Sequence, residues 1–114
     1  MPEAKHMRGI VAYNALELTL TLYFSDGSEK LTVLKWSDVR RIVAFKRDLS
    51  AYDLVCLAFE SRERLTEIDE EMEGWQETLE HLPKMLPGSR HCDDWWSEVC
   101  NPAFETNMTE IFSV

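Results

Sequence analysis

The stretch that decides the fold is Ile42–Phe59, with the sequence IVAFKRDLSAYDLVCLAF. Two apolar runs flank the polar break KRDLSAYD, and the second run is apolar at odd and at even positions alike. A strand with two apolar faces needs cover on both sides. The stretch therefore predicts two central strands of a small sheet, joined where the chain is polar.

The polar break, Lys46–Asp53, has three interpretations. Its Asp and Ser residues are turn formers, and its length suits a hairpin loop of about four to six residues. Alternatively, Lys46, Arg47 and Asp48 form a polar cluster that recognises a carboxylate or a partner chain. Catalysis is the third interpretation, but no histidine or other base falls within the pattern. We favour the turn.

Further strands are predicted around this hairpin. Residues 16–24 alternate apolar and polar side chains with period two, which indicates a strand with one buried face. The turn sequence SDGS at 25–28 leads into KLTVLKW at 30–36, the predicted partner strand. GIVAY at 9–13 and RERLTEI at 62–68 are further strand candidates. The chain is thus expected to form an antiparallel β-meander of five to six strands.

Two helices are expected after the strands. The first has apolar residues at helical spacing, and we expect it to cover the outer face of the central hairpin. These residues are Met72, Trp75, Leu79, Leu82 and Leu86. The second is short, at about Asp93–Cys100, and its spacing places Trp96, Val99 and Cys100 on one buried side.

The domain organisation is simple. A chain of 114 residues is long enough to bury one core, and no repeat or linker interrupts it. We predict a single α+β domain over residues 1–114, with residues 1–8 flexible. The tail at 107–114, NMTEIFSV, is either an edge strand or an extended arm.

The charge is strongly negative and unevenly placed. The formal net charge is −9, and residues 60–80 hold nine acids against two arginines. Residues 35–48 carry five bases against two acids. An acidic protein repels phosphate backbones, which argues against nucleic acid as a ligand, whereas a basic protein would be attracted. Solubility alone explains the same net charge.

The residues offer little chemistry. The three cysteines, Cys56, Cys92 and Cys100, are odd in number and match no disulfide framework, so we expect reduced thiols and a cytoplasmic protein. Cys92 and Cys100 with His91 match no four-ligand zinc pattern. Phosphate loops and nucleophile elbows are missing, and no apolar run approaches the ~20 residues of a membrane span. We predict a protein that is not an enzyme and has no cofactor or metal.

The predicted site is therefore a protein-binding surface for a basic partner. Its candidate residues are Glu67, Asp69, Glu70, Glu71, Glu73, Glu77, Asp93, Asp94 and Trp95, with Lys46, Arg47 and Asp48 as a secondary cluster. Trp95 is out of phase with Trp96 on the second helix. It is either an exposed anchor beside the two aspartates or a core residue packed against the first helix.

Several motifs together resemble those of a family of small, mostly uncharacterised bacterial proteins. The shared pattern is a Trp-x-x-Val, a Lys-Arg-Asp segment, an Asp-Leu-x-Cys-Leu strand and a Glu-x-x-x-Gly-Trp helix start. The motifs are WSDVRRIVAFKRDLSAYDLVCLAFE at 36–60, DEEMEGW at 69–75, LPG at 86–88, the tryptophan pair at 95–96 and NPAFETN at 101–107.

In size and acidity the chain is also similar to immunity proteins of bacterial toxin–immunity pairs, including those of contact-dependent inhibition. That resemblance implies an inhibitor that covers a basic surface or active site of a cognate toxin. A strand meander that ends in a helix resembles the pleckstrin-homology (PH) superfold, which implies a half-barrel. The alternative function is then a PH-like adaptor or scaffold that binds a peptide or self-associates.

Overall fold

The computed structural model of this chain describes residues 6–49, 51–101 and 107–114. In chain order these residues form β1 (His6–Tyr13), β2 (Glu17–Phe24), β3 (Glu29–Lys35), β4 (Val39–Asp48), β5 (Asp53–Ser61), β6 (Leu65–Asp69), α1 (Trp75–Met85), α2 (Cys92–Cys100) and β7 (Thr109–Ser113). A turn of 3-10 helix, Trp36–Asp38, separates β3 from β4. Neither α1 nor α2 is long and apolar enough to cross a membrane, and the described residues contain no other α-helix.

The strands form two antiparallel sheets, one in the order β1-β2-β3 and the other in the order β6-β5-β4-β7. The predicted α+β class is confirmed, but the predicted count of five to six strands is wrong, because the described residues form seven strands in two sheets. The 3-10 turn places β3 and β4 in different sheets, and the tail adds β7 beside β4. β1 begins at His6, inside the segment 1–8 that the sequence predicts to be flexible; residues 1–5 lie outside the described residues.

One hydrophobic core lies between the two sheets and the two helices. The alternation in β2 places Leu18 and Leu20 in this core, as predicted. In β4 a bulge between Val39 and Arg41 shifts the phase of the strand, and Val39 joins Ile42 in the core. The core therefore draws on every strand of both sheets and on both helices.

The predicted central hairpin is confirmed. β4 and β5 pair along their whole length, from Val39 opposite Ser61 to Asp48 opposite Asp53. The loop is shorter than the polar break, because both strands extend into the break and only residues 49–52 connect them. Residue 50 lies outside the described residues.

The expectation that a helix covers the outer face of this hairpin is wrong. The helices share the inner core with Leu57 and Phe59. On the outer face Cys56 is 0% exposed, although it does not belong to that core. Arg47 of β4 and Glu67 of β6 meet across β5 at 2.7 Å on that face. Long side chains cover apolar surface with their stems, so this ion pair takes the place of a helix.

The outer edge of β1 is closed by the segment that leads into α1. The Val11 N–H donates to the Glu73 carbonyl oxygen at 2.7 Å, and the Glu73 N–H donates to the Gly9 carbonyl oxygen at 3.0 Å. Gly74 follows with φ of +90°, and a Cβ at that position would lie 2.0 Å from the Val11 carbonyl oxygen. Only glycine fits so close an approach, which fixes where α1 begins against the first sheet.

Candidate protein-binding surface

Residues of both helices line one cleft of about 390 Å³. Each helix buries one apolar stripe in the core and turns its polar residues outward. We call the residues that line this space the interhelix cleft. They are Gln76 and Leu79 of α1, and Cys92, Asp93, Trp96 and Ser97 of α2.

The two tryptophans of α2 differ in burial. The fully buried one is Trp95, whereas the sequence places Trp96 on the buried side. Trp95 is 0% exposed, whereas Trp96 is partly exposed and lines the interhelix cleft. The helix begins at Cys92, and Cys92, Trp95 and Val99 form the stripe that faces the core. The interpretation of Trp95 as an exposed anchor is therefore wrong. Trp96, which the sequence assigned to the buried side, is only partly buried and packs against the margin of the core.

One carboxylate, that of Asp93, lines the interhelix cleft, and a second, that of Glu80, contacts a lining residue. The Asp93 side chain is 88% exposed, and Asp94 beside it is exposed as well. Glu80 of α1 accepts a hydrogen bond from the Gln76 side chain at 3.2 Å. The two helices together carry five carboxylates and one lysine. Two of these acids, Asp93 and Asp94, lie in the first turn of α2 and stabilise the positive end of that helix.

Three acids of the predicted site instead support the fold. Glu67 forms the ion pair that covers the outer face of β5. The Asp69 carboxylate accepts the Glu71 N–H at 3.0 Å, in the turn after β6. The Glu70 carboxylate accepts the Val55 N–H at 3.0 Å and so extends the bonding of β5. These contacts hold the three carboxylates against the sheet.

The remaining predicted acids, Glu71, Glu73 and Glu77, are exposed. Each has a contact of its own, respectively with the Tyr52 hydroxyl at 2.5 Å, the Arg8 guanidinium at 3.5 Å and the Tyr13 hydroxyl at 3.4 Å. The hydrogen bond to Glu71 raises the pKa of Tyr52. The predicted acidic site is thus divided: one part lies on β6 and on the segment between β6 and α1, and the other part lies on the two helices. Glu77 is next in sequence to Gln76 of the interhelix cleft.

The predicted secondary cluster does not form. Lys46 is 3% exposed on the inner face of β4, and its ammonium lies 3.0 Å from the Asp53 carboxylate and 3.0 Å from the Cys100 carbonyl oxygen. Arg47 points to the outer face, because successive residues of a strand alternate sides. Asp48 is exposed at the end of the strand. Lys46 therefore holds the C-terminal end of α2 against the sheet.

The start of α2 brings possible ligand atoms of His91, Cys92 and Asp93 within 4.8 Å of one another. His91 Nδ1 accepts the Asp93 N–H at 3.2 Å and so caps the helix. Burial, and after it the Asp93 charge, raises the pKa of the Cys92 thiol. Metal binding and nucleophilic attack both need the thiolate, which this environment disfavours. We interpret the three residues as a helix cap.

Comparison with known proteins identifies no relative. Searches against protein-family models, curated proteins and solved structures found no significant match. The resemblance to immunity proteins stays a prediction, and the function is argued below from the surface itself.

Proposed function

We propose that this protein is a non-catalytic binding protein that inhibits a basic protein partner, as an immunity protein inhibits a bacterial toxin. The observation that carries the proposal is the interhelix cleft, where partly exposed Trp96 lies on the same helix as the exposed carboxylate of Asp93 and faces α1, which carries Glu80. Tryptophan is enriched among the residues that dominate binding energy at protein interfaces. Acidic groups around such an anchor select a basic partner over a neutral one.

The chemistry of such a complex follows from these side chains. Trp96 offers an aromatic face to an arginine or lysine side chain, which is a favourable cation–π arrangement. Glu80 and Asp93 pair with further cations at the rim. The net charge of −9 accelerates encounter with a basic domain at low ionic strength. A toxin with a basic active site would be covered and lose access to its substrate, in the cytoplasm of the cell that makes it.

A gene beside this one that encodes a large secreted protein with a toxic C-terminal domain would supply the partner to test. We expect co-expression of this chain to restore growth of cells that produce the toxic domain, and the two purified proteins to bind. A toxic domain that neither binds this chain nor is neutralised by it would contradict the immunity proposal.

Charge reversal at the interhelix cleft should weaken this complex. We expect Glu80→Lys/Asp93→Lys to raise the dissociation constant about tenfold or more, equivalent to ~1.4 kcal/mol, and to flatten its dependence on salt. The matched control is Glu60→Lys/Glu63→Lys, which changes the net charge equally on the β5–β6 hairpin. If the control weakens binding as much as the cleft variant does, net charge rather than the cleft determines affinity.

The alternative is an adaptor or scaffold with a PH-like half-barrel. Its support is the pair of sheets that enclose one core. The order of elements departs from a meander that ends in a helix, since β7 follows both helices and pairs with β4. We therefore prefer the inhibitor.

A further inference from the structure

Among the described residues, none pairs with the outer edge of β3. β3 pairs with β2 on one side, and within residues 6–49, 51–101 and 107–114 no backbone group bonds to its other side. The opposite edge of the same sheet, on β1, is closed by Glu73. An open edge strand of seven residues is a template for pairing with another strand.

The hydrogen bonds at the two ends of β3 determine which of its residues bond to β2 and which point to the open edge. The Phe24 N–H donates to the Ser28 carbonyl oxygen at 2.9 Å, and the Trp36 N–H donates to the Leu16 carbonyl oxygen at 3.0 Å. The register between β2 and β3 has no irregularity, and bonded pairs of an antiparallel ladder recur at every second residue. Even-numbered residues of β3 therefore bond to β2. The N–H and C=O groups of its odd-numbered residues, among them Leu31 and Val33, point to the open edge.

The sequence of this edge, EKLTVLK at 29–35, is complementary to itself when a second copy runs antiparallel. With Thr32 opposite Thr32, all seven residues pair. Glu29 then lies opposite Lys35 of the other copy, and Leu31 lies opposite Val33. All of these positions are odd-numbered, so the backbone groups that bond across the two copies are those that β2 leaves open.

The side chains agree with this register. Leu31 is 64% exposed and Val33 is 44% exposed, both on the face of the sheet that points away from the core. The pairing would join two Leu31 and two Val33 side chains into one apolar cluster, with a Glu29–Lys35 pair at each end. Lysines usually protect an edge strand from pairing. Here each Lys35 lies opposite a glutamate of the other copy. Because β3 carries two lysines and one acid, the net negative charge of the chain does not make the two β3 edges repel each other.

We propose that two copies of this chain associate through their β3 edges and form one continuous six-stranded antiparallel sheet. The contact has seven residues a side, fewer than the roughly 20–30 of a standard interface. The dimer is accordingly weak, and it forms at high protein concentration. The interhelix cleft lies on other elements, so this inference does not depend on the proposed inhibitor function.

Sedimentation velocity of the full chain from about 10 µM to about 1 mM, at physiological salt, tests the proposal. We expect a concentration-dependent dimer. Val33→Pro removes an N–H from the open edge without removing a bond to β2, and it should lower the association constant at least tenfold. Val33→Ile keeps the N–H and should dimerise like the native chain. A native chain that stays monomeric, or a Val33→Pro dimer of unchanged strength, would overturn the inference.

A charge swap tests the register without relying on proline. Glu29→Lys places two lysines opposite each other in its own dimer, and Lys35→Glu places two glutamates, so each variant alone should be monomeric. A mixture of the two variants restores both Glu–Lys pairs and should form a heterodimer as strong as the native dimer. Absence of that heterodimer, with both variants folded by circular dichroism, would rule out this register.

Discussion

We expect Lys46→Met to lose about 3–5 kcal/mol of its free energy of unfolding. The Lys46 side chain is 1% exposed, and its ammonium pairs with an Asp53 carboxylate that is only 16% exposed. Removal of the cation leaves that carboxylate without this counter-charge in a poorly solvated place. It also removes the donor to the Cys100 carbonyl oxygen at the end of α2. Urea unfolding, followed by circular dichroism, measures the loss.

The matched control lies on the same strand. Arg41 pairs with Glu110 at 2.9 Å, but both side chains are about half exposed, so Arg41→Met should lose less than about 1 kcal/mol. The double variant Lys46→Met/Asp53→Asn carries neither charge and should recover part of the loss. Similar losses for Lys46→Met and Arg41→Met would show that Lys46 is not buried as described.

We expect Trp95→Ala to lose about 3–5 kcal/mol of unfolding free energy, because it removes a fully buried side chain and leaves a large cavity. Trp96→Ala truncates a side chain that is partly exposed in the interhelix cleft and touches only the margin of the core, so it should lose clearly less than Trp95→Ala. The Trp95 Nε1–H has no hydrogen-bond partner among the described residues. Neither variant therefore loses a hydrogen bond, and Trp95→Phe should be better tolerated than Trp95→Ala because it leaves a smaller cavity.

Thermal and urea unfolding of these three variants together determine the phase of α2. If Trp96→Ala were the more destabilising alanine variant, the helix would be rotated relative to our description. Trp96 would then belong to the core, and the interhelix cleft would lose its anchor.

The local patterns of the sequence predict much of the fold. The alternation in residues 16–24 and the two apolar runs in 42–59 give two hairpins at the right places, because period two and turn chemistry are local properties. The division into two sheets is not local. It depends on the 3-10 turn at Trp36–Asp38, which has no strong sequence signal, and on the pairing of β7 with β4 across more than sixty residues.

The candidate site was less predictable because single residues decided it. Trp95 and Trp96 both fit an apolar stripe, and the choice rests on Cys92 as the first residue of the helix. Lys46 lies in a polar break by sequence, yet β4 continues past it and buries it. Glu70 is one acid among many until its carboxylate bonds to the backbone of β5.

The most direct test of the central claim uses the toxic domain that we propose as the partner. It compares the affinity of Trp96→Ala for that domain with the affinity of the native chain, by isothermal titration calorimetry. A central anchor costs about 2 kcal/mol or more when it is truncated, which is roughly a 30-fold loss of affinity. We predict that loss of affinity, with the free protein still folded and destabilised less than by Trp95→Ala. Equal affinities of Trp96→Ala and the native chain would contradict the claim that the interhelix cleft is the binding surface.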